Sequence, residues 1–546
     1  MLWRNLNLES LQHETFDVCV IGGGSAGAGC ALDAALRGMK VALIEKTDFA
    51  AETSGKSTKL VHGGVRYLEQ AFRKLDFAQL NQVKHGLHER RFVLRNAPHL
   101  ARPLALATPV FNWWSGIYYF LGLKLYDWFA PGKSGMPPGK WIGRRKLDTL
   151  FPGIDKRIHS AIVYYDGQLD DARYNLAIVQ SAAQSGAVVA NYIELQSFSS
   201  DNSGTITAAK VHDRQSGKVF SIHSKIFLNC TGPAADSIRL KANPVLNPVI
   251  RPSKGAHILV NMPQQGSPCA LLIPKTSDNR VAFAIPFEGR MMIGTTDEPC
   301  DATENEPFTD EQDTSFLLDT INPFLEIKLT REHVTGGFAG LRPLVGVPDN
   351  SRHTRSVLRD HLVEFDERSG LVSLLGGKWT TYRLMAKDAI DLVAQKLNNS
   401  SVCSTENHLL WGAKGWTPDF YKKIQSEYEI DADVSQHLAD KYGICAVLVA
   451  QIAKETPALG ERLLPGLPFL KAEAAYAARC EMAMEIRDFL ARRIRIELTD
   501  AGSSARMAPE VARIMGAELG WNEQEQNRRL QQYLSVLQNT FSNLTT

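Results

Sequence analysis

No CxxC pair occurs in this chain. Its eight cysteines (Cys19, Cys30, Cys230, Cys269, Cys300, Cys403, Cys445 and Cys480) are scattered over 546 residues. That scatter argues against a metal–thiolate or disulfide framework and for reduced thiols in a protein facing the cytosol. Net charge of one sign is equally scarce: 61 Lys and Arg against 59 Asp and Glu leave a formal +2. Any anion site must therefore be local, and a nucleic-acid coat is excluded. The first residues, "MLWRNLNLESLQHETFD", hold neither an apolar core nor a small-residue cleavage site, so no signal peptide is expected. The nearest thing to a long apolar run is "WWSGIYYFLGLKLYDWFA" (113–130), with eight aromatic residues but interruptions at Gly116, Gly122, Lys124 and Asp127. A packed helix, an element on a membrane surface or over a site, and a span remain open. Trp and Tyr with an occasional charge fit an interface better than a hydrocarbon core.

What is present is ordinary in bulk and specific in place. At 44% hydrophobic and 22% charged, the composition is that of a soluble globular protein, long enough for two or more domains. "FDVCVIGGGSAGAGCALDAALRGMKVALIEK" (16–46) reads as a buried strand, a GxGxxG turn at Gly22, Gly24 and Gly27, an alanine-rich helix ending near Gly38, and a second buried strand. The first glycine permits the tight turn, the second lets a pyrophosphate approach the backbone, and the third lets helix and strand pack closely. The helix N-terminus faces the phosphates with free N–H groups. Glu45, 18 positions after Gly27, is placed to accept from an adenosine ribose. This pattern implies a bound dinucleotide but does not separate FAD from NAD. "SKIFLNCTGPAAD" (224–236) ends a strand at Thr231-Gly232, where backbone can come close to a cofactor. "GLVSLLGGKWTTYRLMAKDAIDLV" (370–393) reads as strand, Gly376-Gly377 turn and a helix that Thr380 or Thr381 would cap. Its positive N-terminus suits the electron-rich edge of a reduced flavin. Both segments also read as plain βα units.

"SGKSTKLVHGGVRYLE" (54–69) sets Lys56, Lys59, His62 and Arg66 around Gly63-Gly64 with little to bury. A segment selected for stability alone would not be written so, and the residues ask what it holds.

Here the chain resembles the FAD-dependent glycerol-3-phosphate dehydrogenases. The likeness begins in residues 21–70. It continues through "GLKLYDW" (122–128), "YYDGQLDDARYN" (164–175), "RPSKGAHI" (251–258) and "PFEGRMMIGTTD" (286–297). It runs on through "GLRPL" (340–344), "GGKWTTYR" (376–383), "YAARCEMAMEIRDFLARRIRI" (476–496) and "VARIMGAELGW" (511–521). It departs at Gly55, usually serine in the family, at Cys230, often alanine, and at Ala234, where an aromatic is common. The family's mitochondrial members carry a calcium-binding extension, and the chain closes at Thr546 without a DxDxDG-type loop, which gives it a bacterial look.

The resemblance implies oxidation of sn-glycerol 3-phosphate to dihydroxyacetone phosphate, with hydride passing from C2 to flavin N5 and electrons then to a membrane quinone. Oxygen as acceptor, giving hydrogen peroxide, is the nearest alternative. An amine or amino-acid oxidase, which would need a carboxylate site, and a non-catalytic flavin-binding regulator are more distant ones. FAD is the implied cofactor, with no metal. Implied partners are the substrate, a quinone and the inner-membrane surface on its cytoplasmic side. A second copy of the chain is left open.

A phosphate dianion needs Arg or Lys donors, and a C2 hydroxyl losing its proton needs a base or a cation. By resemblance Arg66, Arg359 and Lys378, with Tyr67 as a further donor, serve the phosphate. His257 and Arg342 serve the C2 oxygen, with His257 the expected base because histidine titrates near neutrality. The flavin falls to Gly22, Gly24, Gly27, Glu45, Lys46, Ser54, Thr58, Lys59, His62, Gly63, Gly64, Thr231, Gly232, Gly377, Lys378 and Thr380. Tyr164, Asp166, Asp170 and Asp171 read as turn and cap residues, with a metal site a weak alternative.

The expected fold is α/β plus α: a Rossmann-like FAD-binding domain, an antiparallel-sheet substrate domain and a helical C-terminal domain, as in D-amino-acid-oxidase and glutathione-reductase-like flavoproteins. The FAD-binding segments are about 1–90, 160–255 and 335–395, and the substrate-domain segments about 91–159 and 256–334. A linker spans 396–408 and the helical domain 409–546. In "AAYAARCEMAMEIRDFLARRIRIEL" the apolar residues recur every three to four positions, and Arg487, Arg492, Arg493 and Arg495 gather near its end. A packed helix with a basic C-terminal end is expected there, with a lipid or partner anchor as the alternative.

Overall fold

The structure, a computed structural model, describes residues 4–64, 77–129, 136–262, 267–278, 280–301, 306–346 and 361–545. Arg66, Tyr67 and Arg359 lie outside the described residues.

Two sheets face one another across a cleft. In the first, strands run in the order His361–Phe365, Val372–Gly376, Val219–Asn229, Thr15–Ile21, Val41–Ile44 and Val188–Ala190, with Ile193–Ser200 and Ile206–Asp213 attached beyond Val219–Asn229. Thr15–Ile21 is the centre, parallel to both neighbours. Its Val18, Cys19 and Val20 are fully buried on both faces, as parallel strands between helices must be. Helix Ser25–Leu36 follows the glycine turn, and Gly38 with φ +78° lets the chain reverse into Val41–Ile44.

The second sheet carries Ile250–Val260, Arg290–Gly294, Ala282–Phe287, Cys269–Ile273, Ala101–Val110, Ser160–Leu169 and Leu60–Val61 in that order, with Val334–Val345 along the other side of Ile250–Val260. It is antiparallel except where Cys269–Ile273 runs parallel to Ala101–Val110. Three strands differ from expectation. Leu60–Val61, Ser160–Leu169 and Val334–Val345 read as parts of the FAD-binding segments, yet all three are strands of this second sheet. A buried strand carries no mark of which sheet it joins; the partners decide.

The helical region packs against both. Helix Lys471–Cys480 stops well short of the run expected from its periodicity, and the chain passes through an irregular stretch and the wide turn Asp488–Arg493 to Ile496–Thr499. The reason is electrostatic. Arg487, Arg492, Arg493 and Arg495 face inward to carboxylates rather than outward to lipid. Arg493 holds Asp48 in a bidentate pair at 2.7 and 3.0 Å, and Arg173 reaches Glu481 at 2.7 Å. The anchor alternative falls, because a guanidinium paired in the interior cannot also meet a headgroup.

Residues Trp113–Phe129 do form a helix, and one face of it is left in solvent: Trp114 is 83% and Trp113 68% exposed. Among the described residues no helix is long and apolar enough to cross a membrane.

Candidate active site

A cleft of about 2290 Å³ opens between the sheets. Small-ligand pockets usually span roughly 300–1,000 Å³, so there is room for a dinucleotide and more.

One wall is backbone. Gly22 sits at φ +109°, and a Cβ there would stand 2.6 Å from the Cys230 carbonyl oxygen. A Cβ on Gly27 would stand 1.9 Å from the Gly22 oxygen, so any other residue would force the turn and helix apart. Gly27 thus supports the cleft without lining it, whereas Gly22, Gly24, Thr231, Gly232 and Gly377 line it. Glu45 and Lys46 close the far end of this wall. The Glu45 carboxylate accepts from Gly23 N at 2.7 Å and Thr47 N at 2.9 Å, which fixes its direction at the strand end. This cradle, with an acid at the end of the second strand and a helix N-terminus at Ser25, fits FAD.

The other wall is side chains. His257, on Ile250–Val260, is stacked on Phe338 at 4.8 Å, and its ring passes so close to Gly294 that a Cβ there would fall 2.1 Å from it. Its Nε2 lies 3.0 Å from Thr58 Oγ1. Burial pushes its pKa well below the ordinary value, with Lys59 and Arg342 adding to the effect. That departs from the expectation that His257 titrates near neutrality: its surroundings favour the neutral imidazole. Arg342, directly across from Ser253 in register, donates to Asp297 Oδ1 at 2.9 Å and Thr295 Oγ1 at 2.9 Å. Its guanidinium lies over Gly255, where a Cβ would meet it at 2.3 Å.

Lys378 enters from the short turn Trp379–Thr381 that precedes helix Tyr382–Lys396. Neither threonine caps that helix by its side chain. Thr381 Oγ1 donates back to the Lys378 carbonyl at 3.2 Å, while Thr380 Oγ1 accepts from His62 N at 3.4 Å and ties the cleft wall together. Burial lowers the His62 pKa to about 4, with Lys378 and Arg90 contributing.

The described part of the stretch that begins at Ser54 is held from several sides. Ser54 Oγ accepts from Ser25 N at 2.9 Å, and its carbonyl accepts from Trp379 Nε1 at 3.0 Å. Ser54, Thr58 and His62 line the cleft; three other expected residues do not. Lys59 turns away into a fully buried pair with Asp171 at 2.6 Å. Gly63 backs onto helix Phe77–Asn96, where a Cβ on Gly86 would sit 2.9 Å from its Cα; Gly64, at φ +85°, follows it. Gly55, usually serine in the family it resembles, is explained by space: a Cβ would lie 2.2 Å from the Ala50 carbonyl oxygen. Asp170 caps helix Asp171–Gln184 by accepting from Arg173 N, as expected, and Asp166 pairs with Arg90. The sequence reading assigned no role to Asp297, Thr295 and Ser57, which line the cleft although they lie within the quoted stretches 286–297 and 54–69.

Comparison with known proteins now decides the class. Residues 17–383 match the family described as FAD dependent oxidoreductase, and residues 403–526 the C-terminal domain of alpha-glycerophosphate oxidase. A probable mitochondrial glycerol-3-phosphate dehydrogenase of Caenorhabditis elegans is 41% identical over 528 residues, 95% of this chain and 72% of that protein. The chain belongs to the FAD-dependent glycerol-3-phosphate dehydrogenases. The mitochondrial glycerol-3-phosphate dehydrogenase of Homo sapiens is 39% identical, covering 97% of this chain and 74% of its own. The FAD-complexed glycerol-3-phosphate dehydrogenase of Bacillus halodurans superposes with a TM-score of 0.78 at 29% identity, over 98% of this chain and 97% of that one. This member of the family is therefore an FAD-dependent oxidoreductase.

Proposed function

We propose that this dehydrogenase oxidises sn-glycerol 3-phosphate to dihydroxyacetone phosphate and delivers the electrons to a membrane quinone. The observation that carries the reading is the junction of two unlike walls in one cleft: a dinucleotide cradle faces His257 and Arg342 of the second sheet, and Lys378 lines the same cleft beside Gly377. Bound FAD supplies the two-electron acceptor for the C2 hydride. The protein does the rest. Lys378 binds the phosphate dianion, with Arg66, Tyr67 and Arg359 assigned to the same task. Neutral His257 takes the proton of the C2 hydroxyl, its imidazole already in the accepting form because burial and two cations disfavour its charged state. Arg342, braced by Asp297 and Thr295, stabilises the negative charge that grows on that oxygen.

The exposed indoles of Trp113 and Trp114 support a peripheral seat on the cytoplasmic face of the inner membrane, where amphipathic rings settle at headgroup level. Co-sedimentation with anionic vesicles tests that seat. The central test is anaerobic. Adding sn-glycerol 3-phosphate bleaches the oxidised-flavin band near roughly 450 nm, and a quinone analogue restores it faster than air does. Fast recovery in air replaces quinone by oxygen; no bleaching at saturating substrate removes the substrate assignment.

A further inference from the structure

Asp171 is fully buried, yet it accepts hydrogen bonds from two distant parts of the chain. Its Oδ2 takes Ser57 N at 2.9 Å, Ser57 Oγ at 2.7 Å and Lys59 Nζ at 2.6 Å. Its Oδ1 takes Arg495 Nη2 at 2.9 Å, from the helical region 324 positions away. Arg495 and Lys59 then share a second acceptor, the carbonyl of Gly55, at 2.7 and 2.9 Å. Residues 55, 57 and 59 are thereby pinned to one side. Thr58, between them, is turned to the other, where its hydroxyl lines the cleft and meets His257 Nε2.

Two backbone outliers mark the same spot. Lys59 has φ +60° and Arg495 φ +66°, conformations that L side chains avoid and that persist where the surroundings over-determine them. They approach one carboxylate from opposite directions. A carboxylate needed only to neutralise one lysine would not require a second cation in a strained turn from another domain.

We propose that Asp171, clamped by Arg495, is a positioning residue for the oxidation: it fixes the Gly55–Lys59 bend so that the Thr58 hydroxyl holds the His257 imidazole toward the substrate. The proposal deepens the assignment of His257 to the C2 proton and rests on it. It also gives the helical region a part in the chemistry, since Arg495 is the contact by which that region reaches the cleft-lining segment. The charge of Lys59 belongs to the same device. Burial lowers its pKa to about 7, with Asp171 opposing and Arg495 adding to the fall. Asp170, joined to Lys441 at 2.6 Å and 3.5 Å from Arg495, completes the charged surroundings.

The test uses the FAD-loaded protein and anaerobic flavin reduction by sn-glycerol 3-phosphate, with variants Thr58→Val, Thr58→Ser, Arg495→Met, Arg495→Lys and His257→Gln. Thr58→Val and Arg495→Met are each expected to slow the limiting reduction rate by roughly 10–100-fold, as small misplacements of a reacting group do. The substrate dissociation constant should stay near the parent value. Thr58→Ser restores most of the rate and Arg495→Lys part of it. The double variant is no slower than the slower single one, because both break one chain of contacts. Flavin-loaded Thr58→Val reducing at the parent rate, or fully additive losses in the double variant, overturns the proposal. If Arg495→Met does not retain flavin, the Thr58 pair alone decides. His257→Gln separates the two levels. A parent-like rate there removes the His257 assignment itself, whereas a slow His257→Gln beside a fast Thr58→Val removes only the positioning role.

Discussion

On the parallel-sheet side of the cleft, recognition is a matter of absent side chains. At Gly22, Gly24 and Gly27 a Cβ would collide with Cys230, Ser54 and Gly22 respectively, so this wall is shaped by close-packed backbone. On the opposite side recognition is a matter of side chains held by other side chains: Arg342 by Asp297 and Thr295, His257 by Phe338 and Thr58. The glycine turn is made within about twenty-five consecutive residues, and a Cβ at any of its three glycines forces neighbours to move. The charged wall draws on strands far apart in the chain and can be tuned by whatever braces each group.

The sharpest way to break that contrast is Arg342→Gln. It removes the cation but leaves the Asp297 carboxylate beside the C2 oxygen on which negative charge grows, so flavin reduction should fall by roughly 10²–10³-fold with FAD content unchanged; stopped-flow reduction and the flavin-to-protein absorbance ratio report the two. Gly27→Ala should do the reverse, since its Cβ meets the Gly22 oxygen. An overpacking cost of about 1–3 kcal/mol corresponds to roughly 10–100-fold weaker FAD retention, read by flavin release on dilution.

Asp48 tests whether the helical region is joined by its charges. Burial alone would raise its pKa, but Arg493 and Arg492 overcome that and hold it below the usual carboxylate value. A depressed carboxylate pKa contributes stability that is present above the ordinary carboxylate range and is lost as pH falls through the folded-state value. Asp48→Asn leaves two guanidinium groups short of their counter-charge and should cost about 3–5 kcal/mol in denaturant unfolding at neutral pH, with less difference in acid.

A smaller effect concerns His257. Because its pKa lies well below its ordinary value, the reduction rate should show no acid limb near pH 6.5 from this residue. Such a limb, abolished by His257→Gln, would return the residue to an ordinary titrating histidine. Smallest of all, Trp114→Ala should change stability by no more than about 0.5 kcal/mol, as exposed substitutions do, while weakening vesicle binding.

The dinucleotide cradle was legible because every part of it is local: the strand, the three glycines, the helix and Glu45 obey short-range rules that hold in any surroundings. The motif pieces around His257, Arg342 and Lys378 were legible as a family pattern, and all three line the same cleft. Other readings failed for want of partners. Lys59 and Gly63 were placed beside the cofactor, but one is drawn into a buried carboxylate and the other into a helix–strand contact. The arginines at 487–495 read as the basic end of a packed helix, or as a lipid or partner anchor, because periodicity records where apolar residues recur and not which acids lie across the fold.

The sequence by itself determined the nucleotide fold and a dinucleotide cofactor, because glycine geometry is a property of residues, while FAD and a phosphorylated alcohol entered through the family resemblance. Only the tertiary structure decided which sheet Ser160–Leu169 and Val334–Val345 would join, that His257 would be neutral, and that Asp171 would gather Ser57, Lys59 and Arg495. Strand partnership, desolvation and the choice among competing ion pairs depend on which distant groups arrive together, and spacing along the chain does not encode them.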